Sequence, residues 1–320
     1  MAIPIIIDTD PGIDDAVAIM LAAASPELRI LGITTVAGNT GLEHTSANAA
    51  ALVDLLRLDV PIGKGAAMPL WRRDTAPNVD VHGANGLGGV RLPASQRTLE
   101  PAVPLLVRLI EESPEPVTVI PVGPLTNIAL LMTAHPATAR KIKRIVLMGG
   151  GTRDHVGNAT AAAEFNMYFD PDAAARVFSF GVPITMVGLN VTYEALVYNR
   201  DFAPLRASGG PIAQLVLGML GSYGEADYGG QTDKTGDLGL PQHDSLAVAS
   251  VIRPDLLTTA LLPVDVENTG RLTAGMTVVD YRHVSEQPPN VDVALGVDAP
   301  GFVKLLISRL VELDTRLKSP

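Results

Sequence analysis

The chain has 320 residues, 47% apolar and 18% charged, whereas an ordinary soluble domain carries about a quarter charged residues. That balance excludes global disorder, which needs few apolar and many charged residues. The net charge of −10 argues against a nucleic-acid-binding surface, and the absence of cysteine excludes disulfides, thiolate metal sites and a cysteine nucleophile.

Short β-branched runs alternate with longer helical patterns. Ile3–Ile7 reads as a buried strand and Ile13–Ala24 as a helix stopped near Pro26. Arg29–Val36 is a second strand, followed by a helix over Leu42–Leu56. Val117–Val122 is a strand, Thr126–Ala134 a helix, and Ile145–Met148 and Pro183–Val187 are further strands. This alternation predicts an α/β fold: an open, mostly parallel, Rossmann-like sheet flanked by helices, with both faces covered. The C-terminal third is less regular, with strands over Thr258–Val266, Met276–Asp280 and Val291–Val297 and a closing helix over Phe302–Leu313. Gly65–Pro93 and Tyr223–Gly239 read as long loops, the kind that serve as lids. With no repeat and no Ser/Gly linker, one domain over 1–320 is expected.

Residues 1–7 carry no Lys or Arg, unlike a secretory signal. The longest apolar run, residues 16–24, is far short of the ~20 residues that span a bilayer. The expectation is a cytoplasmic protein with neither a membrane nor a nucleic-acid partner.

The strongest local feature is Asp8-Thr9-Asp10-Pro11-Gly12-Ile13-Asp14-Asp15, which leaves a strand and opens a helix. In open parallel sheets, ligands bind at the carboxyl ends of strands. N-capping explains one or two of these carboxylates, but not four in eight residues. A helix N-terminus offsets only about 0.3–1 kcal/mol per charge. A hard cation offsets more, and an all-oxygen donor set suits Ca²⁺ or Mg²⁺.

The segment Asp8–Ala16 resembles the N-terminal signature of the nucleoside N-ribohydrolases, the inosine-uridine preferring nucleoside hydrolase family. Further segments follow in the family's order: Val36-Ala37-Gly38-Asn39, His82-Gly83, Gly123-Pro124-Leu125-Thr126-Asn127, Met148-Gly149-Gly150, Glu164-Phe165-Asn166, Asp170-Pro171 and His243-Asp244. The resemblance implies Ca²⁺ held by Asp10, Asp15, the Thr126 carbonyl and Asp244. It implies hydrolysis of a ribonucleoside to free base and ribose through an oxocarbenium-like transition state. Asp10 takes the proton of the attacking water, and Asp14 holds the 2′-hydroxyl. Asn39, Asn158, Glu164 and Asn166 form the rest of the ribose clamp, and Met148 packs either under the ribose or in the core. His243 serves as general acid to the leaving base, with His82 a second polar candidate on the base side. Tyr223 and Tyr228, just before the second loop, either stack on the base, with Tyr223 able to relay a proton, or pack on the adjoining helix.

A purine-specific branch of the family carries Trp before the late Asp, where this chain has His243. That points to inosine/uridine or pyrimidine preference. Asn85 stands where the family usually has an acidic residue. Asp8 is expected to support the site from outside the ligand set, Trp71 to pack in its loop, and His44, His135, His155 and His283 to lie at the surface. The family is commonly oligomeric, so a homo-oligomer, tetramer or dimer, is expected. Two rivals are a Mg²⁺-dependent phosphatase, from Asp8-Thr9-Asp10, and a non-catalytic nucleoside- or ribose-binding protein. The first lacks a convincing phosphate-binding Lys. The second makes no use of the residues for chemistry.

Overall fold

Side chains alternate across a strand, and the first strand, Ile3–Thr9, shows how this builds two cores. Ile5 and Ile7 enter one apolar cluster and Ile6 enters another, all three fully buried. The first cluster takes in helices Ile13–Ala24, Leu42–Leu55, His243–Ile252 and Ala299–Lys318. The second takes in Ala102–Glu112, Thr126–Ala134 and Pro171–Phe178. Each fully buried Ile, Leu or Val contributes about 1.5–3 kcal/mol. In this computed structural model residues 2–71, 79–225 and 230–318 are described, without the side chains of residues 79, 80 and 223–225.

The nine-stranded sheet runs, edge to edge, Leu257–Leu262, Val291–Val297, Ile184–Val187, Arg144–Met148, Thr118–Pro121, Ile3–Thr9, Leu28–Thr35, Ile62–Lys64 and Glu100–Pro101. Every neighbouring pair is parallel except the first. The chain builds outward from Ile3–Thr9 to one edge, then returns to its other side at Thr118–Pro121. The crevice between these two strands is therefore the switch point, where ligands of such sheets bind. Among the described residues no helix is long and apolar enough to cross a membrane.

Three expectations need correction. Thr258–Val266 is not one strand: Pro263, which lacks an N–H for a ladder, separates Leu257–Leu262 from Val264–Val266, and the latter pairs with Thr277–Val279 in a separate sheet. The stretch 223–239 is not all loop. Helix Pro211–Glu225 runs through Tyr223, and Gln231–Thr232 and Leu238–Pro241 are strands of a three-stranded sheet. Within 65–93, Val79–His82 forms a helical turn. Trp71, expected to pack, is 82% exposed.

Candidate functional site

The acidic segment lies at the carboxyl end of the first strand, and each carboxylate there has a distinct set of partners. Asp8, fully buried, accepts from Thr34 Oγ1 at 2.5 Å and Asn127 Nδ2 at 2.8 Å. It ties its own strand to Leu28–Thr35 and to the helix Thr126–Ala134. Asp10 Oδ2 accepts from Asn39 N at 2.6 Å, while its buried Oδ1 has no hydrogen-bond partner among the described residues. The carboxylate sits in a cradle between two glycines. A Cβ on Gly38 would come within 2.1 Å of Oδ2, and one on Gly123 within 2.5 Å of Oδ1. Asp15, in the first turn of Ile13–Ala24, accepts from Gly12 N at 2.9 Å, Asn39 Nδ2 at 2.9 Å and Thr9 Oγ1 at 2.5 Å.

Asp244 comes in from the first turn of His243–Ile252. Carboxylate oxygens of Asp14, Asp15 and Asp244 lie within 4.8 Å of one another. Burial pushes all of these acids up. Asp14 reaches about 8, with the Asp15 charge the next cause. Asp10 stands well above its ordinary value, from burial and then the Asp15 charge, as does Asp244, from burial and then the Asp14 charge. Asp15 is raised by burial, although its hydrogen bonds oppose the rise. The grouped Asp14, Asp15 and Asp244 oxygens, with Asp10 Oδ1 buried beside them and without a hydrogen-bond partner among the described residues, fit a hard cation. Thr126 opens its helix at the end of the adjacent strand, and its hydroxyl donates to Asp170 Oδ2 at 2.7 Å.

Above the cluster is a narrow cavity of about 20 Å³. Asp14, Asn39, His82, Met148, Asn158, Glu164, Asn166, His243 and Asp244 line it, so nine of the expected site residues meet there. Asn39 joins this wall to Asp10 and Asp15 beneath. Glu164 caps the helix Phe165–Phe169 through Asn166 N and Met167 N, and also accepts from Gly150 N at 2.9 Å. Gly150 has φ +69°, a conformation that favours glycine. Burial pushes Glu164 up to about 7. Asn166 Nδ2 donates to Val122 O and Met148 O, tying the clamp to two strand ends. Met148 is 3% exposed and belongs to the core as well as to the cavity wall.

On the opposite wall, His82 Nδ1 accepts from Ile13 N at 3.1 Å, which places the proton of its neutral ring on Nε2. Burial, and then the charge of His243, push His82 down to about 3. Burial alone pushes His243 to about 3. His243 Nδ1 lies 2.7 Å from Thr192 Oγ1, and its ring meets Tyr193 edge-on at 5.2 Å. His44, His135, His155 and His283 are exposed as expected, although the His155 ring also meets Tyr193 at 5.2 Å in a tilted arrangement. Asn85 bonds within its own loop, to Val90 O and from Leu87 N and Gly89 N. The Tyr223 side chain and all of Tyr228 lie outside the described residues.

The sequence reading gave no role to Asn127, Val122, Phe165, Thr192 or Tyr193. Asn127 lies inside a recognised motif. There its amide bridges Asp8, the Thr35 carbonyl and Ala66 N. Thr192 and Tyr193 carry no motif signal, since only the tertiary fold brings them to His243.

A mostly parallel α/β sheet with buried acids and a polar cavity at its switch point defines an enzyme acting on a small polar ligand. The chain belongs to the inosine-uridine preferring nucleoside hydrolase family, whose sequence model it matches over residues 5–304. It is 45% identical to the pyrimidine-specific ribonucleoside hydrolase RihA of Escherichia fergusonii over 315 residues, covering 97% of this chain and 99% of that one. The RihA of Salmonella typhimurium is 44% identical over 313 residues, with 97% and 99% covered. Among solved structures, the purine-preferring ribonucleoside hydrolase from Gardnerella vaginalis superposes with a TM-score of 0.89 at 33% identity, over 98% of this chain and 99% of that one. The chain is accordingly a ribonucleoside hydrolase, acting on N-glycosyl bonds.

Proposed function

We propose that the enzyme is Ca²⁺-dependent and prefers pyrimidine ribonucleosides, and that it works in the cytoplasm as a homo-oligomer of one-domain subunits spanning 1–320. The observation that carries the metal reading is Asp10 Oδ1, buried and without a hydrogen-bond partner among the described residues, beside raised carboxylates. The pyrimidine preference rests on His243 and on 45% identity to a pyrimidine-specific relative. Exposed Met68, Leu70 and Trp71 offer apolar surface that a homo-oligomer would bury.

Asp10, Asp15, the Thr126 carbonyl and Asp244 would hold the ion. When bound, Ca²⁺ supplies the positive charge that keeps these carboxylates ionised and acidifies nearby water. Asp10 accepts the proton of the water that attacks the anomeric carbon. Asp14 and Asn39 hold the ribose hydroxyls nearest the acidic cluster. Asn158, Glu164 and Asn166 grip the other end of the sugar, converting binding into orientation. His82 and His243 face the base. His243 is neutral at pH 7 in the protein alone. As negative charge develops on the leaving base, the ring takes up a proton from solvent and, as the imidazolium, passes it to the base nitrogen while the glycosidic bond breaks.

Asp10→Asn tests this reading. Turnover of uridine should fall by at least ~10²-fold, the low end of a general base's contribution, while ribose still binds. Near-wild-type turnover would remove Asp10 from the role.

A further inference from the structure

The helical turn Leu189–Thr192 follows the strand Ile184–Val187 at the carboxyl edge of the sheet. It is held on two sides: Leu189 N donates to Gly150 O at 3.0 Å, and Asn190 Nδ2 donates to Ala294 O at 2.8 Å. Its last residue, Thr192, is 1% exposed and lies 2.7 Å from His243 Nδ1 through Oγ1. The Thr192 hydroxyl also reaches back to Leu189 O at 3.5 Å. With its own proton directed there, Thr192 accepts from Nδ1–H, which leaves Nε2 of the neutral ring as the nitrogen that takes up a proton from solvent and, as the imidazolium, passes it toward the cavity. Tyr193 closes the ring's other side edge-on at 5.2 Å. Its phenol hydrogen-bonds the Asn158 side chain, which lines the sugar end of the cavity.

We propose that Thr192 and Tyr193 are positioning residues for His243: the hydroxyl fixes which ring nitrogen faces the leaving base, and the aromatic ring fixes the imidazole plane. The inference rests on the reading of His243 as the group that protonates the leaving base. A side chain of this kind must be held by rigid support to within about 0.5 Å of its working geometry. The anchored turn provides that support. Substrate binding is left to the ribose clamp, so loss of the support acts on kcat and spares KM.

The experiment compares uridine with p-nitrophenyl riboside, whose leaving group needs no proton, in the Ca²⁺-loaded full chain. Thr192→Val keeps the shape and removes the hydrogen bond. It should lower kcat for uridine by about 10–100-fold, the cost of losing a ligand's supporting partner, with KM within ~2-fold. Turnover of p-nitrophenyl riboside should stay within ~3-fold. Thr192→Ser restores the hydroxyl and should recover uridine kcat. Tyr193→Leu should show the same selectivity for uridine as Thr192→Val. Melting temperatures of all variants identify any that fail to fold, and Thr192→Ser then decides the outcome. His243→Ala is the reference. If it slows uridine selectively but Thr192→Val slows both substrates equally or neither, the positioning role is overturned and the reading of His243 stands. If His243→Ala slows both substrates equally, the general-acid reading falls and this inference with it.

Discussion

The Asp10 cradle makes a prediction that depends on geometry alone. In Gly123→Ala the new Cβ would lie 2.5 Å from Asp10 Oδ1 and 3.1 Å from the Asp10 backbone nitrogen. The first distance is half an ångström short of 3.0 Å, below which real Cβ atoms essentially never come. The carboxylate has no room to retreat, because Oδ2 is held by Asn39 N at 2.6 Å and abuts Gly38. Asp10 must therefore swing or the strand end must shift. A displacement approaching 1 Å at a catalytic group costs about 10²-fold, or roughly 2.7 kcal/mol in the transition state. Stability should change less. Over-packing costs about 1–3 kcal/mol, whereas alanine gains about 0.4–1 kcal/mol by restricting the unfolded chain. The assay is ribose release from uridine at saturating Ca²⁺, with a thermal melt of the same sample. A ~100-fold loss of kcat/KM with a melting temperature within about 8 °C of wild type is expected. Turnover within ~3-fold of wild type would refute the argument that the cradle sets the Asp10 position.

Two further predictions concern charge and folding. Asp14 stands at about 8 and Glu164 at about 7, both raised first by burial from ordinary values of 3.8 and 4.5. Raised acids stabilise the fold below their unfolded values and lose that contribution as pH rises through the folded ones. Metal-free protein should therefore melt progressively lower from pH 5 to pH 8, and added Ca²⁺ should raise the melting temperature more at pH 8. An equal increment at both pH values would contradict the linkage. The buried Asp314 accepts from Ser208 Oγ, Gly210 N, Ile212 N and Ala213 N, docking the C-terminal helix onto the start of Pro211–Glu225. Burial pushes its carboxyl up, but these bonds hold it below its ordinary value. Asp314→Asn leaves buried N–H groups facing an amide, and should cost at least ~2 kcal/mol by denaturant midpoint. A loss under ~0.5 kcal/mol would show that the carboxylate is not the anchor.

The parts of the fold legible in the sequence are those with long apolar periods. Val291–Val297 falls on the expected residues, and Ile13–Ala24 and Thr126–Ala134 have the expected bounds. Ile62–Lys64, Glu100–Pro101 and Leu196–Tyr198 went unread, because two or three residues carry no periodicity. The cavity wall was legible wherever a polar residue sits in a compact motif, as with Asn39, Glu164, Asn166 and Asp244. Thr192 and Tyr193 were not, because their approach to His243, fifty residues on, exists only once the sheet is assembled. Glu164 shows a different limit. Its residue type suggests a sugar ligand, but three backbone N–H groups already hold it, so it also builds the wall.

The central claim is that the buried acidic cluster works as a cation site for cleaving the N-glycosidic bond of a pyrimidine ribonucleoside. The most direct measurement is ribose release from uridine, cytidine, inosine and adenosine, first in chelator and then after Ca²⁺ is restored. The account predicts release abolished by chelator, recovered by Ca²⁺, and fastest from uridine or cytidine. Release that persists in chelator would contradict the cation site, and faster release from inosine or adenosine would contradict the pyrimidine preference.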